Sequence, residues 1–200
     1  MTTPPINKYT VSDNEAGGEV LPNLLGLTTP EEIAEAEFLG FVNAHNIAVD
    51  ELTDDIQFNL RYLYNLHKNA FGTLYSFAGK LRTVNMSKDN FSFPSAGFLP
   101  QLMQDFEIEF LDPLKNVPDD ELPVQLARMH AELLFIHPFR EGNGRTIRLF
   151  TNMIYLSKTG EELDFSILDK NLKTYIAAVQ QAAQKEHKLM ESLFLQMTSL

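Results

Sequence analysis

Apolar residues recur at steps of three and four through most of the chain, and only one stretch alternates at a step of two. Leu122, Leu126, Met129, Leu133 and Ile136 form one such series. Leu99, Leu102, Met103, Phe106, Phe110 and Leu114 form a second, and Ile147, Phe150, Met153 and Ile154 a third. Each helical residue advances about 100° around the axis, so these series are apolar stripes that must be buried against one another. The pattern predicts an all-α protein, a helical bundle carrying one small β-hairpin.

Helix boundaries are written in the turn residues. Thr29, Pro30 and Glu32 make an N-cap, a proline in the first turn and a capping-box acid, so a helix starts there and runs to about His45. Ile56, Leu60, Leu63, Tyr64 and His67 signal a second helix, loosened by Gly72 and Gly79. Val84 and Met86, then Phe91 and Phe93, alternate on either side of the turn-like Lys88, Asp89 and Asn90, which is the hairpin. Pro113 and Pro118 close the third helix, and Pro138 helps stop the helix that delivers His137. A helix from about Asn143 to Gly160 follows, then one or two closing helices through Leu172, Ile176, Val179 and Met190 to Phe194. Residues 1–27 show neither period and read as an extended arm, leaving 28–200 as a single domain.

The charge balance narrows the partners. With 27 acidic against 16 basic residues the net charge is -11, which disfavours a grip on nucleic acid. There is no cysteine, hence no disulfide, thiolate nucleophile or cysteine-bound metal. No apolar run of membrane-spanning length and no signal-peptide pattern occurs, so no membrane partner and a cytoplasmic location are expected, with delivery into a host cell left open.

Chemistry is concentrated in HPFREGNGRTIR, residues 137–148, between two helices. Gly142 and Gly144 let the backbone approach a ligand closely. The next helix starts there, so its unpaired N–H groups and positive dipole end make an anion site from backbone alone. Arg145 and Arg148, three residues apart, can hold two oxygens of a polyphosphate. Glu141 at the rim suits a magnesium ion that shares its shell with phosphate and water. His137, with an ordinary pKa of about 6.5, suits removal of a proton from an attacking hydroxyl.

Plainer readings exist for each residue alone. His137 can simply be satisfied at a helix C-terminus, either arginine can lie on a solvated face, and Glu141 can be a helix-start acid. Phe91 and Phe93 can merely cover the core. His130 lies seven residues before His137 without any HExxH spacing, and reads as core or surface; His45, His67 and His187 give no signal.

The loop resembles the Fic-domain signature: a histidine, a phenylalanine two residues on, an acid, Gly-Asn-Gly-Arg and a last arginine, all met by His137, Phe139, Glu141, Gly142, Asn143, Gly144, Arg145 and Arg148. TPEEIAEAEF near Thr29 and NLHKNAFGTLYSFAGKLRTV from Asn65 to Val84 are similar to the rest of such a domain, of the toxin and effector type. Phe77 departs from it, standing where related sequences often have tryptophan, which affects packing rather than chemistry.

The resemblance implies transfer of AMP from ATP to a Ser, Thr or Tyr hydroxyl of a target protein, with His137 as base and Glu141 holding magnesium. It further implies that Gly142, Asn143 and Gly144 line the anion hole, Arg145 holds the outer phosphates, Arg148 holds the γ-phosphate, and Phe139 anchors the loop. The hairpin, about residues 84–99, corresponds to a flap on which the target docks as an added strand, with Phe91 and Phe93 on it. Transfer of another nucleotide or of phosphate by the same fold, or a binding module without turnover, are the alternatives. The intact Gly144 argues against the kinase-like relatives, which carry lysine there. No inhibitory helix of the family's Ser/Thr-x-x-x-Glu-Gly/Asn type is found, since Thr28 to Glu32 is followed by Ile33. Any inhibition is then expected from a separate small antitoxin-like chain that brings a glutamate to Arg148.

Overall fold

The computed structural model describes residues 10–11, 20–53 and 55–198. Most of the expected arm therefore lies outside the described residues. Of its remainder, residues 20–27 pack on the domain: Leu21 and Leu27 touch the core, and the Leu24 N–H donates to the Leu74 carbonyl at 2.8 Å.

Helix α1, Pro30–Asp50, begins with the expected capping box: Thr29 Oγ1 accepts the Glu32 N–H, and the Glu32 carboxylate accepts the Thr29 N–H. Glu32 is thus committed to a helix cap. The helix runs past His45, because Ala44 and Ala48 keep its inner face buried for another turn. It packs along α2, Leu60–Phe71, at close range, since a Cβ on Gly40 would collide with the Ala70 carbonyl. α2 starts later than the apolar pattern suggests, because Asn59 caps it by accepting the Tyr62 N–H at 3.0 Å.

The hairpin consists of β2, Met86–Lys88, and β3, Phe91–Ser92. Asp89 and Asn90 both have positive φ, 49° and 65°, the backbone a two-residue primed turn requires. Thr10–Val11, as β1, pairs antiparallel with β2 and makes the sheet three-stranded in the order β1-β2-β3. The arm thereby contributes a strand that no periodicity announced.

The expected single third helix is broken into α3, Leu99–Phe106, a π-helical stretch Glu107–Leu111, and α4, Asp112–Leu114. Pro113 has no N–H for a helical bond and its ring crowds the preceding turn, which the wider π turn accommodates. α5, Leu122–Ile136, is the central helix: Leu126, Ala127, Met129, Ala131 and Leu133 are all fully buried. It touches α3, α6 (Asn143–Thr159), α8 (Leu172–Ala182) and α9 (Lys188–Met197). α7, Ser166–Lys170, and a 3-10 turn, Ala96–Phe98, just before α3 complete the described helices. Buried Glu132 of α5 accepts His187 Nε2 at 2.7 Å and Lys185 Nζ at 3.3 Å, which pins the α8–α9 turn to the core. Among the described residues no helix is long and apolar enough to cross a membrane.

Candidate active site

α5 ends on His137, whose φ of 53° and ψ of 60° turn the chain out of the helix. Its N–H donates to the Leu133 carbonyl and its Nδ1 lies 3.1 Å from the Leu134 carbonyl. A carbonyl only accepts, so Nδ1 carries the proton in the neutral ring and Nε2 is the basic nitrogen. Burial, with the positive charges of Arg82 and Lys88 adding to it, pushes the imidazole down to about 3. The ring is therefore neutral at physiological pH, as a proton acceptor must be.

The loop that follows is rigid by construction. Phe139 is fully buried and stacks on His67, ring centroids 3.9 Å apart, with Tyr64 edge-on to it. Asn143 Oδ1 accepts the Phe139 N–H at 2.8 Å, and its Nδ2 donates to the Phe139 carbonyl at 2.7 Å. The Asn143 side chain is consequently a clamp inside the loop, fully buried, while its backbone lies at the start of the next helix. Gly142 has φ 74°, and a Cβ there would land on the Phe71 ring. Both facts demand glycine.

α6 begins at Asn143, and its first intrahelical bond is Thr146 N–H to the Gly142 carbonyl. The N–H groups before it have no helical acceptor, as at any helix start. Gly144 lies in this first turn and lines a cavity of about 420 Å³ together with His137, Arg145 and Arg148. A Cβ on Gly144 would meet nothing within 4 Å, so packing does not require the glycine; it keeps room at the helix N-terminus. Phe91 and Phe93 of the hairpin and Leu172, Ile176 and Val179 of α8 line the other walls. This volume lies in the range of small-molecule sites.

Both arginines are held by residues outside the loop. Arg145 Nη2 is 2.6 Å from Glu37 Oε2 on α1, whose other oxygen accepts the Tyr75 hydroxyl at 2.8 Å. Arg148 pairs with Asp169 at 2.8 Å, a carboxylate 62% exposed. The Arg148 guanidinium also lies over the Tyr175 ring, 5.4 Å from its centroid. The Tyr175 hydroxyl donates to His130 Nε2, His130 Nδ1 donates to Thr151, and Thr151 donates to the Ile147 carbonyl. Thr151 spends its one proton on that carbonyl, which sets every direction in the chain. His130 is thus a core residue that orients Arg148 through Tyr175.

Glu141 Oε1 accepts the Gly142 N–H at 3.0 Å and stands 3.8 Å from Arg145 Nη2. Among the described residues no group of three or more His, Cys, Asp or Glu side chains is gathered for a metal. A lone carboxylate beside a phosphate-sized helix N-terminus fits magnesium held jointly with phosphates, and does not fit a metal held by protein alone.

The sequence model of the Fic/DOC family matches residues 57–155. A probable protein adenylyltransferase of Sinorhizobium fredii, y4lH, is 30% identical over 156 residues, 76% of this chain and 79% of its own length. The chain belongs to the Fic/DOC family. The protein adenylyltransferase VbhT of Bartonella schoenbuchensis is 32% identical over 143 residues, which cover 70% of this chain and 29% of VbhT. The fold agrees with that of the N-terminal Fic domain of a Bartonella effector protein from strain AR 15-3, at TM-score 0.75 and 21% identity over 91% of this chain and 88% of that one. It also agrees with BepC of Bartonella tribocorum, solved with bound AMPPNP, at TM-score 0.72 and 22% identity over 91% and 93%.

Seen as a Fic site, the structure uses residues that sequence reasoning passed over. His67 accepts the Gly79 N–H on Nδ1 and donates from Nε2 to the Glu141 carbonyl, so it holds the Fic loop at two places besides the Phe139 stack. Glu37 and Tyr75 hold Arg145, and Tyr175 holds Arg148. The only signal available was their chemistry, polar groups set among apolar neighbours. Phe77 stacks on Tyr75 at 4.7 Å and stays partly buried. Phe91 and Phe93 line the cavity, and the Phe93 ring stacks on the His137 imidazole.

Proposed function

We propose that this chain transfers the AMP portion of ATP to a Ser, Thr or Tyr hydroxyl of a target protein. The observation that carries the reading is the meeting of His137, at the end of α5, with Gly144, Arg145 and Arg148, at the start of α6, around one cavity. The chain's similarity to a protein adenylyltransferase and a probable protein adenylyltransferase supports the reading independently.

In this reading the polyphosphate lies at the α6 N-terminus, where backbone N–H groups and the helix dipole favour negative charge. Arg145 and Arg148 take its outer oxygens, Arg148 by exchanging the exposed Asp169 carboxylate for phosphate. The nucleobase lies against the apolar face of Leu172, Ile176 and Val179, which suits a flat ring and selects no particular base. Glu141 holds magnesium, which when bound neutralises phosphate charge. The target hydroxyl gives its proton to His137 Nε2 as its oxygen bonds to the α-phosphorus. The bond from that phosphorus to the bridging oxygen breaks, and pyrophosphate leaves. Negative phosphate beside the ring raises the imidazole from its low resting value and so strengthens it as a base at the moment of use.

The target's backbone joins the flap sheet as an added strand. Inhibition, where it occurs, comes from a separate small chain whose glutamate replaces Asp169 on Arg148.

The test is to incubate the protein with lysate and ATP, CTP, GTP or UTP and to measure intact masses of the lysate proteins. A gain of one nucleotide monophosphate is expected, slowed about 10²- to 10⁴-fold by His137→Ala, the usual worth of a general base. Absence of any mass gain with all four nucleotides would overturn the proposal.

A further inference from the structure

Arg82 is a guanidinium sealed in the protein, 3% exposed, with backbone carbonyls as its hydrogen-bond acceptors. Its Nε donates to the His137 carbonyl at 2.7 Å, Nη1 to the Val84 carbonyl at 2.7 Å, and Nη2 to the Pro94 carbonyl at 2.6 Å and, more loosely, to Ile136 at 3.4 Å. Its own N–H donates to the Pro138 carbonyl at 2.8 Å. Burial lowers it only to about 10, so it stays charged. Burying a charge is costly unless it is fully hydrogen-bonded, and these acceptors come from three places that a fold has no other reason to join. They are the strand leading into the hairpin, the segment leaving it, and the end of α5 with its unsatisfied carbonyls and negative dipole end.

We propose that Arg82 is a positioning residue for the transfer reaction, tying both legs of the flap to the backbone of the catalytic histidine. The flap's Phe93 lies face to face with His137 at 3.9 Å, so the separation between flap and imidazole is set at the residues that Arg82 links. A target strand laid on the flap is then in register with the base because one planar fork measures the distance between them. Lysine keeps the charge but offers one compact head that cannot reach carbonyls in three directions. The inference rests on the AMP-transfer reading for its kinetic consequence and on geometry alone for its structural one.

The test uses Arg82→Lys in the full chain, with Arg82→Gln as a second variant should lysine not fold, and two kinds of readout. First, NMR of the His137 ring should show, in the variant, loss of the ring-current shift from Phe93 and faster amide exchange at residues 86–92. Second, Kd for ATP should stay within about threefold while kcat toward a protein target falls about 10- to 100-fold, the scale on which a displacement near 1 Å acts. An unchanged His137 ring environment in a folded variant overturns the proposal whether or not AMP transfer occurs. So does a kcat per folded molecule equal to wild type, or a loss confined to ATP binding. A wild type with no transferase activity but a displaced histidine in the variant would sink the functional reading and leave the positioning link standing.

Discussion

Phe93 covers His137 with its ring plane 19° from parallel and the centroids 3.9 Å apart. The imidazole is thereby kept dry under the flap. Phe93→Ala should let water reach the imidazole and bring its pKa back up toward the ordinary histidine range, because loss of hydration is the largest cause of its depression. A ¹H–¹³C NMR titration of His137 in wild type and variant reads this directly. Identical titrations would show that the flap is not what shields the ring.

The two glycines of the loop should respond oppositely to alanine. Gly142→Ala places a side chain at positive φ against Phe71 and should cost about 1–3 kcal/mol or more of stability. Gly144→Ala meets open space in a helical turn, so stability should hold or rise by up to about 1 kcal/mol. The added methyl occupies the cavity at the helix start, and ATP affinity should fall all the same. Denaturant melts with calorimetric titration of ATP separate the two effects, and undiminished ATP binding by the Gly144 variant would place the phosphates elsewhere.

Asp169 is the exposed partner of Arg148, and exposed ion pairs contribute about 0–1 kcal/mol. Asp169→Ala should therefore change stability by less than about 1 kcal/mol. It should tighten ATP binding a few-fold at low salt, an effect that fades as salt is raised. Weaker binding in the variant would mean that Asp169 orients Arg148 for the nucleotide instead of competing for it.

Three histidines, His67, His130 and His137, are held by burial down to about 4, about 3 and about 3. An unfolded chain protonates them near pH 6.5, so below that pH the unfolded state binds more protons and folding stability declines. The stability is complete above about pH 6.5 and is lost as pH falls toward the folded values, with a slope of about 1.4 kcal/mol per pH unit for each histidine. Urea unfolding at pH 7.5, 6 and 5 should show the decline, and His67→Gln should lessen its slope. A stability that is flat between pH 7.5 and 5 would contradict the buried neutral rings.

Local chemistry was readable wherever neighbours in the chain were enough to decide it. The Thr29–Glu32 capping box, the Asp89–Asn90 turn and the apolar stripe of α5 each depend on residues a few positions apart. The π-helical stretch at Glu107–Leu111 and the late start of α2 at Asn59 were missed because a proline and a cap compete there with an apolar period that runs straight through them. Arg145 and Glu37 illustrate the other kind of limit. They are 108 positions apart, and no spacing rule relates α1 to the loop.

The residues from His137 to Arg148 carry, in order, an imidazole, an aromatic anchor, an acid, a glycine-flanked helix start and two cations, all within one stretch of the chain. That local density is why family and candidate chemistry followed from sequence alone. Packing alone settled that Asn143 clamps the loop, that His67 supports it, that Tyr175 and Glu37 hold the arginines, and that Arg82 links flap to histidine. Those contacts join helices and strands far apart in the chain, and a buried polar group takes whichever partner the assembled core brings within reach.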